Sequence, residues 1–120
     1  MTDSILTTTK KILGVAEDDT AFDLDIQTHL NGAFAQLWQL GVGPTSPFMI
    51  TGADEEWSTF LQDDVFLNMV RPYVYLKVRL AFDPPTTSYL IDSLRKQAQE
   101  MEWRMNVYRE EVKWNEENPA

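Results

Sequence analysis

Hydrophobic positions in the last third of the chain repeat at the spacing of an amphipathic helix. From Ile91 onward, apolar residues recur at alternating steps of three and four positions as far as Val112. This alternation is typical of a helix that buries one narrow stripe against other helices. The stripe consists of Ile91, Leu94, Ala98, Met101, Met105, Tyr108 and Val112. It predicts a long helix over residues 86–112.

Another helix is predicted over residues 65–82, directly before a proline corner at Asp83-Pro84-Pro85. Proline lacks an amide donor and disfavours helical geometry in the residue before it, so the corner ends this helix. Thr86 or Thr87 can cap the next helix through its hydroxyl. Pro72 predicts a kink or a break inside the earlier helix. Apolar residues after Pro72 fall on two sides, which is typical of a helix at the centre of a bundle.

The first half of the chain predicts three further helices, over residues 5–13, 20–40 and 54–61. Ser4 can cap the first of them, and Gly14 is a natural stop. Residues 41–53 contain the glycines and prolines of an irregular loop. Within it, Phe48-Met49-Ile50 is an apolar run that either forms a brief strand or folds as a plug onto the helices.

These elements together predict an all-α fold, a small bundle of four to five helices. The length of 120 residues fits one domain, which we place at residues 1–112, followed by a flexible C-terminal tail at 113–120. Apolar residues make up 43% of the chain, and no run of them approaches the ~18–20 residues of a membrane span. The first residues lack the basic segment of a signal peptide. Cysteine is absent, which fits a reducing compartment and equally a particle that survives outside a cell.

The net charge of −9 is distributed unevenly. Residues 1–69 contain eleven acids and only two bases, Lys10 and Lys11, whereas residues 70–120 contain eight of each and sum to zero. A protein that grips DNA phosphates needs the opposite sign. The acidic half therefore indicates solubility alone, or a surface that does not adhere to nucleic acid, or one that meets a basic partner.

A search for catalytic or metal-binding residues finds little. His29 is the one histidine, and a metal site needs two or three further ligands at matching spacing. No glycine-rich phosphate loop is present, since Gly41-Val42-Gly43-Pro44 has neither a preceding strand nor the lysine of such loops. No Ser, Thr or Tyr is placed with a base that could activate it. We therefore expect no enzyme activity, no metal and no cofactor.

The segment from Tyr73 to Arg79 is the one place where aromatic and basic residues alternate. Helical spacing turns its aromatic residues inward, which favours a core role over the stacking of bases. Apolar residues outside the main stripe could supply contact patches for a partner protein. Those we consider are Trp38, Trp57 and Trp103. Trp103 in particular is either covered by the N-terminal helices or exposed for a partner.

Two stretches resemble a known family. They are Tyr73-Val74-Tyr75-Leu76-Lys77-Val78-Arg79-Leu80-Ala81-Phe82-Asp83-Pro84-Pro85, and Glu102-Trp103-Arg104-Met105-Asn106 with Ser88-Tyr89 before it. In them the chain resembles the head–tail connector proteins of long-tailed bacteriophages, also called adaptor or head-completion proteins. The resemblance is dense over residues 70–106 and looser over residues 5–41.

The resemblance implies a helical subunit that joins copies of itself in a ring, twelvefold in the family, beneath the portal of the DNA-filled capsid. It also makes the run Phe48-Met49-Ile50 a candidate loop for contact with a partner or with the channel lumen. Such a ring extends the DNA channel without binding DNA specifically, and a stopper or tail protein docks below it. The protein would then be made in the host bacterial cytoplasm and end in the virion, with no membrane involved. The carried-over candidates for pairing within or between subunits are Lys77, Arg79, Glu102, Trp103 and Arg104. Trp114 is a candidate anchor to the portal, and Asp83, Pro84 and Pro85 are a structural corner.

A different class of function remains open from the residues alone. A small acidic helical module can occupy a basic site on a partner by mimicking DNA. In that case the acids of the first half, such as Asp18, Asp19 and Asp23, would carry the binding.

Overall fold

A computed structural model describes residues 3–119 and contains five helices in that range. Their bounds are α1 Ile5–Leu13, α2 Asp23–Gln39, α3 Trp57–Phe60, α4 Asp64–Phe82 and α5 Ser88–Glu117. Residues 3–119 include no strand, only an isolated antiparallel bridge between Ser4 and Glu56. The predicted all-α bundle is confirmed.

The predicted caps explain where several helices begin and end. The Ser4 hydroxyl accepts a hydrogen bond from the Thr7 amide at 3.2 Å, and the Thr87 hydroxyl accepts one from the Leu90 amide at 3.4 Å. Gly14 ends α1 in the left-handed region, at φ 79°. A residue with a Cβ is disfavoured there, so glycine is the natural stop.

The starts of α2 and α3 each lie three residues after the predicted position, α2 for a local reason and α3 because of a contact distant in sequence. α2 begins at Asp23 because the Asp19 carboxylate accepts from the Ala21 amide at 3.1 Å, which forms a turn before the helix. α3 is a single turn, Trp57–Phe60. Residues 55–57 instead pair with the start of the chain, through bonds from the Ile5 amide to the Glu55 carbonyl and from the Trp57 amide to the Asp3 carbonyl.

The last helix is longer than its hydrophobic stripe. α5 continues to Glu117, five residues beyond the predicted end at Val112, and Asn118 follows it as C-cap. No apolar stripe is needed for these residues, since lysine and glutamate are good helix formers and the segment is solvent-exposed. Residues 113–117, predicted as a tail, are therefore helical, and Ala120 lies outside the described residues.

α4 is the central helix and runs unbroken through Pro72. It packs against α2 on one side and α5 on another, and α1 covers part of both α2 and α4. Val70, Tyr73 and Val74 flank the proline and are completely buried. Tertiary packing of these side chains stabilises the helix where the proline removes an internal hydrogen bond. The predicted central position of this helix is confirmed, and the chain does not break at Pro72.

The stripe of α5 is its packing face. Ala98 and Met105 are buried, and Ile91, Leu94, Met101, Tyr108 and Val112 are half-buried. The turn at residues 83–87, which contains Asp83, Pro84 and Pro85, folds α5 back onto α4. The predicted hairpin of two long helices is therefore present.

A second part of the core lies under the loop between α2 and α3. The Phe34 ring of α2 packs against Phe48, Trp57 and Phe60, with ring centroids 4.8–6.0 Å apart. Gly43 approaches this cluster with φ 98°, and a Cβ there would lie 2.7 Å from the Phe60 ring. The position therefore requires glycine for both conformation and space.

Candidate assembly surfaces

Three helices meet at a polar contact centred on Glu102. Its carboxylate oxygen Oε2 accepts a hydrogen bond from the Tyr73 hydroxyl at 2.7 Å and one from Gln36 Nε2 at 3.4 Å. These bonds join α5 to α4 and to α2. Glu102, a candidate for pairing within or between subunits, thus pairs within the subunit.

This contact changes the titration of Tyr73. Burial raises the pKa of Tyr73 above its usual value near 10, and the hydrogen bond to Glu102 and the charge of that carboxylate raise it further. In the unfolded chain the phenol loses its proton from about pH 10, while the folded protein retains it. The unfolded state then binds fewer protons, so stability falls as the pH rises above that value.

We expect Tyr73→Phe to flatten this alkaline loss of stability. The variant loses the hydrogen bond to Glu102 and is less stable near neutral pH by about 1 kcal/mol. Between pH 10 and 11.5, however, its free energy of unfolding should fall less steeply than that of the wild type. Urea titrations at several pH values measure this, with the exposed Tyr89→Phe as the matched control. Equal slopes for Tyr73→Phe and Tyr89→Phe would contradict the assignment.

The other charged residues that the family resemblance suggests for pairing lie near the surface. Lys77 is half-buried and Arg79 is exposed, both on α4. Arg104 pairs with Glu100 one turn earlier on α5, at 2.7 Å, with both side chains more than half exposed. An exposed pair of this kind contributes only ~0.3–0.5 kcal/mol, so it holds the Arg104 side chain weakly.

An open cleft of about 580 Å³ lies between α2, α4 and α5. Glycine and alanine form part of it, at Gly32, Ala33, Ala81 and Ala98. Its charged residues are Lys77, Arg95 and Glu102, and His29 also lines it. A second groove, more apolar, lies between α1 and α4 and is lined among others by Ile12, Glu17, Arg71 and Tyr75.

The side of α5 that faces away from its packing stripe carries large apolar residues. Trp103 is 65% exposed, Trp114 62% and Tyr89 81%, and Val107 is exposed beside them. At ~100° per residue these four positions fall within about 40° of one another, and Trp103 lies about 200° round the helix from the buried Met105. Among residues 3–119 no helix covers this face, so of the two alternatives for Trp103 the structure shows exposure.

The three tryptophans considered as contact patches therefore differ. Trp38 and Trp103 are exposed, whereas Trp57 is completely buried in the core. The Trp57 indole nitrogen donates to the Thr8 hydroxyl at 2.9 Å, and the Arg71 guanidinium lies 5.3 Å from the ring centroid. The expectation that Trp57 lies on a contact patch is wrong, because the start of the chain folds over α3 and covers it.

The apolar run at residues 48–50 forms a plug and not a strand. Ile50 is completely buried and is held by Asn31 of α2, which accepts from its amide at 2.8 Å and donates to its carbonyl at 3.1 Å. Phe48 is half-buried in the aromatic cluster. Of the three residues only Met49, 63% exposed, leaves its side chain in solvent.

Lys10 organises the acidic turn between α1 and α2. It is 3% exposed, and its ammonium nitrogen lies 3.0 Å from the Glu17 carbonyl, 2.7 Å from the Asp19 carbonyl and 2.7 Å from the Asp23 carboxylate. Hydrophobic patterns do not single out this lysine. The one signal for it in the sequence is that Lys10 and Lys11 are the only bases among residues 1–69.

Within residues 3–119, no group of three or more His, Asp or Glu side chains is placed to hold a metal ion. His29 instead lines the cleft beside Gly32 and Gln36. A search of the same residues finds no helix with the length and hydropathy to cross a bilayer.

The arrangement is a helical hairpin packed on shorter helices, with an exposed aromatic face and an acidic first half. A sequence profile described as "Phage connector protein" matches residues 5–112. No curated protein and no solved structure matches the chain. The match spans most of the chain and includes all of α1 to α4 and the packing stripe of α5. The chain therefore belongs to the phage connector protein family, which makes it a component of the bacteriophage virion.

Proposed function

We propose that this connector forms a ring at the head–tail junction, twelvefold on the virion, beneath the portal. The ring extends the DNA channel and offers its lower surface to a stopper or tail-completion protein. Its role is structural, without catalysis or a cofactor. The protein is made in the host bacterial cytoplasm and is incorporated into the virion during assembly.

The exposed aromatic face of α5 carries this proposal. Tyr89, Trp103, Val107 and Trp114 leave a row of large apolar side chains in water along a helix of 30 residues. Exposed apolar patches of this kind mark protein–protein contacts, and tryptophan and tyrosine are the residues most enriched at the energetic centre of interfaces. A family that assembles with other head and tail proteins provides the partners for this face.

The charge distribution supports a channel that DNA passes without adhering. The net charge is −9, and all of it belongs to residues 1–69. Carboxylates beside the lumen repel phosphates over the ~8–10 Å of screening at physiological salt. A ring with acids near its lumen would therefore let DNA slide.

Trp114 is the proposed anchor to the portal. It lies in the part of α5 that extends past Val112, the last half-buried residue of the stripe, and the residues around it are exposed. An apolar ring at the end of a projecting helix can insert into a pocket of a neighbouring protein at little cost to the fold of the subunit.

The test is assembly on the portal. Purified wild-type chain is mixed with portal particles, and the mass of the complex is measured by sedimentation and its shape by electron microscopy. We expect about twelve copies per portal in a ring coaxial with the channel, and a loss of at least tenfold in affinity for Trp114→Ala with its helix content unchanged. Leu24→Ala, which removes an exposed apolar side chain from α2 and not from the face of α5, is the matched control. Monomer only, with no binding to the portal, would reject the proposal.

A further inference from the structure

The cleft between α2, α4 and α5 contains positive charge that the subunit does not neutralise. The four ion pairs among residues 3–119 involve Lys10, Arg71, Arg104 and Arg109, and none involves Lys77 or Arg95. Glu102, the one acid that lines the cleft, uses Oε2 to accept from Tyr73 and Gln36. In a chain with a net charge of −9, two unpaired bases in one concave site indicate an acidic occupant.

Gly32 gives a second and independent indication that the cleft is occupied. It lies in the interior of α2, where glycine destabilises the helix relative to alanine. A Cβ at this position would meet nothing within 4 Å, so no neighbour in the subunit requires glycine. Gly32 lines the cleft. The absence of a side chain at Gly32 therefore leaves room in the cleft for another chain.

We propose that this cleft receives the acidic turn of a second copy of the chain. This turn, residues 17–19, carries three consecutive carboxylates at Glu17, Asp18 and Asp19, all exposed. In the interface these carboxylates lie against Lys77 and Arg95, so opposite charges meet. Acidic surfaces that face one another in other orientations repel, which disfavours those orientations. The inference rests on the proposed ring and names the two surfaces that close it.

The turn is held in place before it binds. Lys10 is hydrogen-bonded to the carbonyl oxygens of Glu17 and Asp19, so the backbone on both sides of Asp18 is fixed while the three acidic residues remain exposed. A segment that is already ordered loses less conformational entropy on binding. The buried lysine therefore supports recognition of the turn as well as the stability of the fold.

The two surfaces lie on different faces of the subunit, as a ring requires. Glu17 lines the groove on the side of α4 that carries Arg71 and Tyr75, whereas the cleft lies on the side that carries Lys77 and Ala81. Arg71 and Lys77 are six residues apart, which at ~100° per residue places them about 120° apart around α4. A donor and an acceptor on different faces form a head-to-tail contact, and such a contact closes into a ring when the rotation between successive copies divides a full turn.

Charge reversal on the two surfaces, separately and together, tests this pairing. The first variant carries Lys77→Glu and Arg95→Glu, the second carries Glu17→Lys and Asp18→Lys, and the third carries all four substitutions. We expect each of the first two to assemble at least ~10-fold more weakly on the portal than the wild type, and the third to recover most of that loss, because the charges again match. Sedimentation velocity measures the assembled fraction, and circular dichroism verifies the helix content.

The control keeps the charge change and moves it elsewhere. Four substitutions made together, Ser58→Glu, Thr59→Glu, Gln62→Glu and Asn68→Glu, lower the net charge as much as the first variant does, but these residues are exposed and lie outside the cleft, the acidic turn and α5. This control should assemble within about threefold of the wild type. Rings that form equally well in all variants, or no recovery in the third, would overturn the inference and leave the proposed function intact. A wild type that fails to assemble on the portal would reject both.

A variant at Gly32 separates the effect on folding from the effect on assembly. Gly32→Leu adds a side chain where the subunit has space, so the thermal midpoint should equal or exceed that of the wild type. The same side chain fills the cleft and should reduce assembly at least ~10-fold. Ala35→Leu places the same bulk at an exposed site on α2 that does not line the cleft, and it should assemble normally. Equal assembly of both variants would show that the cleft is not an interface.

Discussion

Trp57→Ala is expected to lower the free energy of unfolding by about 3–5 kcal/mol. The Trp57 side chain is completely buried and packs against Phe34 at 6.0 Å and Tyr75 at 5.7 Å between ring centroids. Its removal leaves a large cavity and also takes away the indole N–H that donates to the Thr8 hydroxyl. Urea denaturation followed by circular dichroism measures the change.

Trp103→Ala is the matched control, since it removes the same side chain from an exposed site. Its free energy of unfolding should stay within about 0.5 kcal/mol of the wild type. Assembly on the portal should nevertheless weaken, because Trp103 belongs to the exposed face of α5. If Trp103→Ala destabilised the subunit as much as Trp57→Ala, the division between core and contact face would be wrong.

Lys10→Ala is the second substitution with a large expected effect, a loss of about 3 kcal/mol in the free energy of unfolding. It removes a buried cation that is hydrogen-bonded to two carbonyl oxygens and paired with Asp23. Removing one partner of a buried pair leaves the other without compensation, which typically costs ~3–5 kcal/mol. The Asp23 side chain is 32% exposed, so water solvates part of the charge that remains. The expected loss of stability is therefore near the lower end of that range.

Lys11→Ala controls for the loss of a lysine from α1. Lys11 is exposed and adjacent, so its removal should change stability by no more than about 0.5 kcal/mol. Lys10→Met, which retains the apolar stem, should recover only the packing part of the loss. Thermal and urea denaturation of the three variants measure these differences. A Lys10→Met variant as stable as the wild type would show that the ammonium group contributes nothing.

The sequence predicts well those elements that depend on residues close together in the chain. The caps at Ser4, Gly14 and Thr87 depend on hydroxyls and on the missing Cβ of glycine. The packing stripe of α5 follows from spacing alone. The central position of α4 follows from apolar residues on two sides, and the structure has α2 and α5 packed on it.

Tertiary contacts decide the features that spacing does not. Trp57 and Trp103 both occupy helical sites with apolar neighbours, yet only Trp57 is covered, because the start of the chain pairs with residues 55–57. Met49 and Ile50 are adjacent in a loop, yet their side chains differ in burial. The hydrogen bond from the Ile50 amide to Asn31 holds Ile50 in the core, whereas Met49 lies in solvent. Both outcomes depend on residues 19 to 54 positions away in sequence, which no local window contains.

The assembly surfaces are also only partly readable from the sequence. Trp103 and Trp114 stand out because they fall off the α5 stripe, and the structure leaves both exposed. The cleft forms only where three helices meet. Its unpaired residues Lys77 and Arg95 are 18 residues apart in sequence and share no motif, so the sequence does not show that they line one site. Gly32 is recognisable in the sequence as a glycine inside a helix. Its proposed role in the cleft, however, depends on the empty space beside it, which only the structure shows.

The most direct test of the account is a cryo-electron microscopy map of the head–tail junction of a phage that encodes this chain. We expect twelve copies of the five-helix subunit in one ring under the portal, with the acidic turn of each copy in the cleft of the next. A junction without this subunit, or a ring in which Lys77 and Arg95 face solvent and α5 touches no neighbour, would contradict the account.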